Sequence, residues 1–307
     1  MNQETFGDRL TSLVAERSSQ IVLGLDPDPG HLWPRAMRAA EGIGGGPAEQ
    51  TAHAVLAHCR LLIEAAGEQC VAVKPQVACF ERLGAPGWAA LRAVVSAAQE
   101  RGLLVIADAK RGDIDVSARA YGEAFFGGTE TPFGAVPGLG ADALTVNPLL
   151  GADSLAPLAQ AARANMGGLF VLVRTSNPGA ADVQERELAA GGVVSDALAG
   201  LVDALGGPGV GPTGLSDIGA VTGATAPDRL QALRRAMPHA PFLLPGVGAQ
   251  GGRVEDLAAA FAPGPAGGLV SASRSIVNAH EKIGGDPEGA AAREAARLRA
   301  LAWGMST

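Results

Sequence analysis

Short apolar runs with little polar alternation recur along this chain, separated by longer segments whose apolar positions repeat every three or four residues. The short runs lie at 21–26, 70–76, 103–107, 142–147, 168–174, 218–222, 242–245 and 268–272. Runs of this length and composition read as strands buried on both faces. The segments between them read as helices. Leu10, Leu13 and Val14 mark one face of 5–17, and Val55, Cys59, Leu62 and Ile63 one face of 51–66. Leu91, Val94, Val95 and Ala98 share a face of a helix that opens near Pro86 and ends before Gly102. Further helices are predicted at 154–164, 193–205, 228–237, 254–261 and 287–302, with a helix and loop across 121–139 and a flexible loop at 41–47.

Eight buried strands alternating with helices imply an α/β fold, a parallel sheet covered by helices on its outer face. Eight such units close into a (β/α)₈ TIM barrel, here a single domain over residues 1–307 with a short N-terminal helix and a C-terminal helix. A doubly wound sheet is the alternative, but no GxGxxG turn follows the first strand at 21–26.

Composition narrows the function classes. The hydrophobic fraction of 47% supplies a large core, and the net charge of −7 gives no footprint for non-specific nucleic-acid binding. Cys59, Cys70 and Cys79 lack CxxC spacing, which fits free thiols in a reducing compartment. The five histidines form no HxH or HExxH pattern, so no metal site is expected. The first twenty residues carry acidic groups and no sustained apolar core, unlike a signal peptide. No segment reaches the roughly 18 uninterrupted apolar residues of a membrane span. A soluble, cytoplasmic protein is the expectation.

The chemistry concentrates where the strands end. The third strand runs directly into Asp108, Lys110, Arg111 and Asp113. Residues two apart on a strand share a side, so Asp108 and Lys110 can face one cavity, with Gly112 turning the chain before Asp113. In a barrel the reactive groups belong at the C-terminal strand ends. Those ends carry Asp26, Lys74, Asn147, the segment Arg174-Thr175-Ser176-Asn177 and Arg274 as well. The glycine-rich loop after the seventh strand, Pro245-Gly246-Val247-Gly248-Ala249-Gln250-Gly251-Gly252, can present backbone N–H groups to an anion. Arg274, after the eighth strand, adds a planar fork for phosphate oxygens.

Taken together these motifs resemble the orotidine 5′-phosphate decarboxylase family, in its longer bacterial branch. The resemblance rests on Gly24-Leu25-Asp26-Pro27, Val73-Lys74-Pro75-Gln76, Asp108-Ala109-Lys110-Arg111-Gly112-Asp113-Ile114, Thr145-Val146-Asn147-Pro148, Arg174-Thr175-Ser176-Asn177-Pro178, the Gln250 loop and Ser273-Arg274-Ser275-Ile276. Leu149 departs from it, standing where an aromatic residue commonly follows Asn-Pro.

The resemblance implies a cofactor-free decarboxylation of orotidine 5′-phosphate to uridine 5′-phosphate, with Lys110 protonating C6 of the pyrimidine. It implies that Asp108 and Lys74 belong to the same alternating charge network, that Asp113 is a further catalytic residue, and that Asp26 and Lys74 bind the ribose hydroxyls. Gln250, Arg274 and the Gly248 backbone would hold the phosphate beneath a closing loop, with Asn147 also among the substrate-binding residues. Ser176 or the adjacent Thr175 would read the pyrimidine edge. Asp113 and Ile114 would cross into the neighbouring subunit's site, making the enzyme a homodimer. A magnesium-dependent keto-sugar-phosphate decarboxylase, a Schiff-base aldolase and a non-catalytic nucleotide-binding barrel are the rival readings.

Overall fold

The computed structural model describes residues 4–248 and 250–306. Met1 to Gln3, Ala249 in the expected phosphate loop, and Thr307 lie outside the described residues. Eight parallel strands close into the expected barrel. They are β1 Ile21–Leu25, β2 Ala72–Pro75, β3 Leu104–Arg111, β4 Ala143–Val146, β5 Gly168–Arg174, β6 Ile218–Thr222, β7 Phe242–Leu244 and β8 Gly268–Ala272. Each strand pairs with its chain neighbours, and β8 closes on β1 through Ile21 opposite Val270.

Strand alternation sorts the side chains into two layers. Ile21, Leu23, Val73, Val105 and Ala107 point outward into the core shared with the helices. Val22, Ala72, Leu104, Ile106, Ala143 and Leu269 point into the barrel. Continuing that inward set by two residues reaches Lys74, Asp108, Thr145 and Ser271. The barrel interior is therefore apolar at its N-terminal end and polar at its C-terminal end.

The apolar end is plugged by the helix Phe6–Arg17, which sets Phe6, Leu10 and Val14 among the inward strand residues. Thr5 and Asp8 cap it reciprocally: the Thr5 hydroxyl accepts from the Asp8 N–H, and the Asp8 carboxylate accepts from the Thr5 N–H. Phe6 meets Phe170 edge to face with ring centroids 6.1 Å apart. Phe242 and the helix Pro227–Ala236 are joined through Arg234, whose guanidinium lies 3.6 Å from the Phe242 ring centroid. Four carbonyls, of Met237, Ala240, Ala260 and Gly267, accept its N–H groups. Its two terminal nitrogens are thereby satisfied without a carboxylate, while Nε has no partner among the described residues, and burial lowers the pKa to about 9.

Several element boundaries differ from expectation. The helix expected from 51 starts at Pro47, because Pro47 suits a first turn and Glu49 accepts from the Gly46 N–H at 3.0 Å. The segment 254–261 forms the 3₁₀ turns Val254–Asp256 and Ala258–Phe261 instead of an α-helix. Three of its buried residues, Val254, Leu257 and Ala260, recur at every third position, the spacing that a 3₁₀ turn aligns, with Phe261 buried beside them. The region 121–139 begins its helix earlier, at Asp115–Phe125, and continues as a two-stranded ribbon pairing Gly128 and Thr129 with Pro137 and Val136. Short helices at Pro34–Ala39, Val77–Glu81, Ala180–Val183, Arg274–Val277 and Ala279–Ile283 carry too few residues to show a period. Among the described residues no helix is long and apolar enough to cross a membrane.

The helix Pro47–Ala66 buries His58 to 2% exposure. Its Nδ1 accepts the Trp33 N–H at 3.1 Å, so the neutral ring carries its proton on Nε2. Burial lowers this histidine from 6.5 to about 4. The unfolded chain therefore takes up the proton first as pH falls, and stability is lost between 6.5 and about 4. Acidification from pH 7 to pH 5 should cost about 2 kcal/mol through this group. Urea midpoints of the wild type and His58→Gln at both pH values check it; the acid sensitivity should shrink in the variant.

Candidate active site

Inward alternation brings charged groups to the mouth of the barrel, where they open on a cavity of about 530 Å³. Asp108 is the hub. Its Oδ2 accepts from Lys74 Nζ at 2.7 Å and from Gln76 Nε2 at 3.2 Å. Its Oδ1 accepts from Lys110 Nζ at 2.6 Å and from the Thr145 hydroxyl at 2.9 Å. Asp26 lies on the far side of Lys74, 3.8 Å from Nζ. The row Asp26, Lys74, Asp108, Lys110 thus alternates in sign.

Burial and charge act against each other along this row. Burial alone would lower the Lys74 pKa, but the Asp108 and Asp26 carboxylates outweigh it, and the ammonium is held above its usual 10.5. Burial likewise works to raise the Asp108 pKa, yet Lys74 and Lys110 hold this carboxyl well below the ordinary carboxylate range. Both groups remain charged at neutral pH. Lys110 differs from Lys74 in access: its side chain is 45% exposed, against 9% for Lys74. It presents an ammonium to the cavity while staying tied to Asp108.

Lys110 reaches this position by an irregular path. The register of β3 against β4 shifts between Ala107 and Arg111, and Lys110 adopts φ of 49°. Left-handed backbone is found at Lys110 and Asp115, not at Gly112. Gly112 is required for another reason: a Cβ there would stand 2.8 Å from the Asn147 carbonyl oxygen. Arg111 turns away from the cavity, pairing with Glu81 and lying 5.5 Å from the Tyr121 ring centroid.

The opposite wall is built from the loops after β5, β7 and β8. Thr175 is engaged locally, its hydroxyl bonded to Asn177 and Gln184. Ser176 makes no side-chain hydrogen bond among the described residues, so its hydroxyl is available to a ligand. Gly246 has φ of 100°, and a Cβ there would meet the Ser176 side chain at 3.1 Å and Gln250 Oε1 at 2.9 Å. The Ser176 and Gln250 loops therefore pack tightly together. Arg274 lines the same corner and, among the described residues, has no hydrogen-bond or ion-pair partner. The Arg274 guanidinium, the Ser176 hydroxyl and the Gln250 amide line the same cavity as the two lysines.

A model of the Orotidine 5′-phosphate decarboxylase / HUMPS family matches residues 20–288. The chain belongs to this family. It is 39% identical over 281 residues to orotidine 5′-phosphate decarboxylase of Rhodopirellula baltica, covering 91% of this chain and 90% of that one. The protein of the same name from Deinococcus radiodurans is 40% identical over 273 residues, with 89% of each chain covered. The structure of Leishmania donovani OMP decarboxylase superposes with a TM-score of 0.71 at 30% identity, covering 97% of this chain and 98% of that one.

Of the family residues expected from sequence, Asp26, Lys74, Asp108, Lys110, Thr175, Ser176, Gln250 and Arg274 line the cavity. Four others do not. Asn147 forms a turn instead, its side-chain oxygen accepting from the Leu149 N–H at 3.0 Å. Gly248 is exposed, and its N–H donates to the Gly252 carbonyl at 2.9 Å. Asp113 is half-buried outside the cavity, accepting from the Ile114 N–H at 2.8 Å, and Ile114 is 48% exposed. Polar lining residues outside the expected set include Gln76, Thr145, Gln184, Ser271 and Ser273. Strand parity marks Thr145, and Gln76 ends the Val73-Lys74-Pro75-Gln76 motif. Gln184 has no such signal, since it reaches Thr175 only through the fold of the segment between them.

Removing the hub charge should leave a buried ammonium under-compensated. Asp108→Asn is expected to lower unfolding stability at pH 7 by roughly 3 kcal/mol. The depressed carboxyl contributes stability above its unfolded value of 3.8 that is lost as pH falls through the folded value. Denaturant unfolding at pH 7 and pH 3 checks both points; the difference between wild type and variant should narrow at pH 3.

Proposed function

We propose that this protein decarboxylates orotidine 5′-phosphate to uridine 5′-phosphate in pyrimidine biosynthesis, as a cofactor-free carboxy-lyase. One observation carries the reading: a solvent-accessible ammonium, Lys110, is bound to a buried carboxylate at one side of a cavity whose other side holds Arg274, which has no partner among the described residues. Loss of carbon dioxide from C6 leaves an electron pair on carbon without a conjugated sink, so stabilisation has to be electrostatic. An ammonium held by Asp108 opposes that charge and then delivers a proton to C6. Asp26 and Lys74 take the ribose hydroxyls, Ser176 reads the pyrimidine edge, and Arg274 with Gln250 holds the phosphate. The phosphate contacts lie far from C6, and their binding energy orders the site around the reacting carbon.

Asp26 and Asp108 already neutralise lysines, which favours this reading over one in which the same carboxylates hold magnesium.

Asp113 and Ile114 serve the site of a second copy in a homodimer. Beside Asp113 the surface exposes Ile114 at 48%, Val116 at 81%, Leu149 at 80% and Leu150 at 53%. An apolar patch around a carboxylate that misses its own cavity suits a self-complementary interface.

Purified protein mixed with orotidine 5′-phosphate should show loss of the substrate's ultraviolet absorbance, with Lys110→Ala slower by at least about 1,000-fold. No turnover above buffer by the wild type would sink the reading. Lys110→Ala and Asp113→Ala, each inactive alone, should recover activity at about a quarter of the sites when re-associated as a random mixture of dimers. A mixture as inactive as its components would contradict the shared site.

A further inference from the structure

The geometry points to Thr145 as a positioning residue for the proposed decarboxylation, fixing both the backbone and the ammonium of Lys110 through one hydroxyl. This inference rests on the reaction proposed above. β3 and β4 pair regularly at Ile106 opposite Ala143 and Ala107 opposite Leu144, and next at Arg111 opposite Val146. Between the last two pairs β3 advances from 107 to 111 while β4 advances only from 144 to 146. The surplus is a bulge, and bulges re-aim side chains at functional sites.

The bulge creates two demands. Lys110 is held at φ of 49°, a left-handed conformation that a long side chain rarely adopts. Its N–H also loses a regular ladder acceptor, and a buried unpaired donor is costly. Thr145, the β4 residue opposite the bulge, meets both. Its Oγ1 accepts from the Lys110 N–H at 2.9 Å, replacing the missing ladder bond. Its one hydroxyl proton is then directed to Asp108 Oδ1 at 2.9 Å, the oxygen that Lys110 Nζ also touches. The residue is 1% exposed, so water does not compete for these bonds. One hydroxyl therefore links the strained backbone of Lys110 to the carboxylate holding its ammonium.

Such a residue affects where the ammonium stands and leaves the binding of ribose and phosphate to other groups. Thr145→Val keeps the shape and removes both bonds. It should lower kcat by about 10- to 100-fold while KM stays within about twofold, with thermal unfolding still cooperative. Thr145→Ser restores the hydroxyl and should return kcat to within about threefold of wild type. If the valine variant does not fold, Thr145→Ala is measured in its place with the same expected loss.

A valine or alanine variant with wild-type kcat would overturn the proposal. So would a loss falling on KM with kcat intact, a serine variant no better than valine, or failure of both the valine and alanine variants to fold. Wild-type turnover in the same assay separates the two levels, since an inactive wild type refutes the proposed reaction and not the role of Thr145 alone.

Discussion

Everything at the mouth of this barrel depends on Asp108 remaining ionised while almost completely buried. An isolated carboxylate in that position would take up a proton rather than bear the desolvation cost. Lys74 and Lys110 prevent this from opposite sides, while Gln76 and Thr145 occupy remaining acceptor positions on its two oxygens. The arrangement is mutual, because Lys74 is itself buried and keeps its charge through Asp108 and Asp26. No member can be neutralised without leaving another exposed to the same penalty. Lys110 is the most accessible member of the row.

The fold supplies this arrangement through strand parity. Inward positions that carry valine, leucine and isoleucine near the base become lysine, aspartate, threonine and serine near the top. The Phe6–Arg17 helix seals the base, so the cavity opens at one end only. Where parity alone would aim Lys110 imperfectly, the bulge in β3 re-aims it, and the approach of Gly112 to Asn147 leaves no room for a side chain.

Much of this was legible in the sequence, for identifiable reasons. The eight apolar runs map onto the eight strands because a strand buried on both faces needs such a run. Asp108 with Lys110, Lys74, Asp26 and Arg274 stood out as charges placed directly after those runs. What escaped depends on contacts between distant segments. The β3 bulge arises from pairing with β4, and with it comes the left-handed backbone of Lys110, which no local pattern marks. Gln184 reaches Thr175 across a loop that has no period to read. Thr175 is occupied in this way, whereas the Ser176 hydroxyl has no partner among the described residues.

A crystal structure of the protein with uridine 5′-phosphate bound tests the central claim most directly. The account predicts phosphate on Arg274 and Gln250, ribose hydroxyls on Asp26 and Lys74, and C6 about 3–3.5 Å from Lys110 Nζ with the Asp108 contact retained. A nucleotide seated with its phosphate away from Arg274, or Lys110 turned out of the cavity, would contradict it.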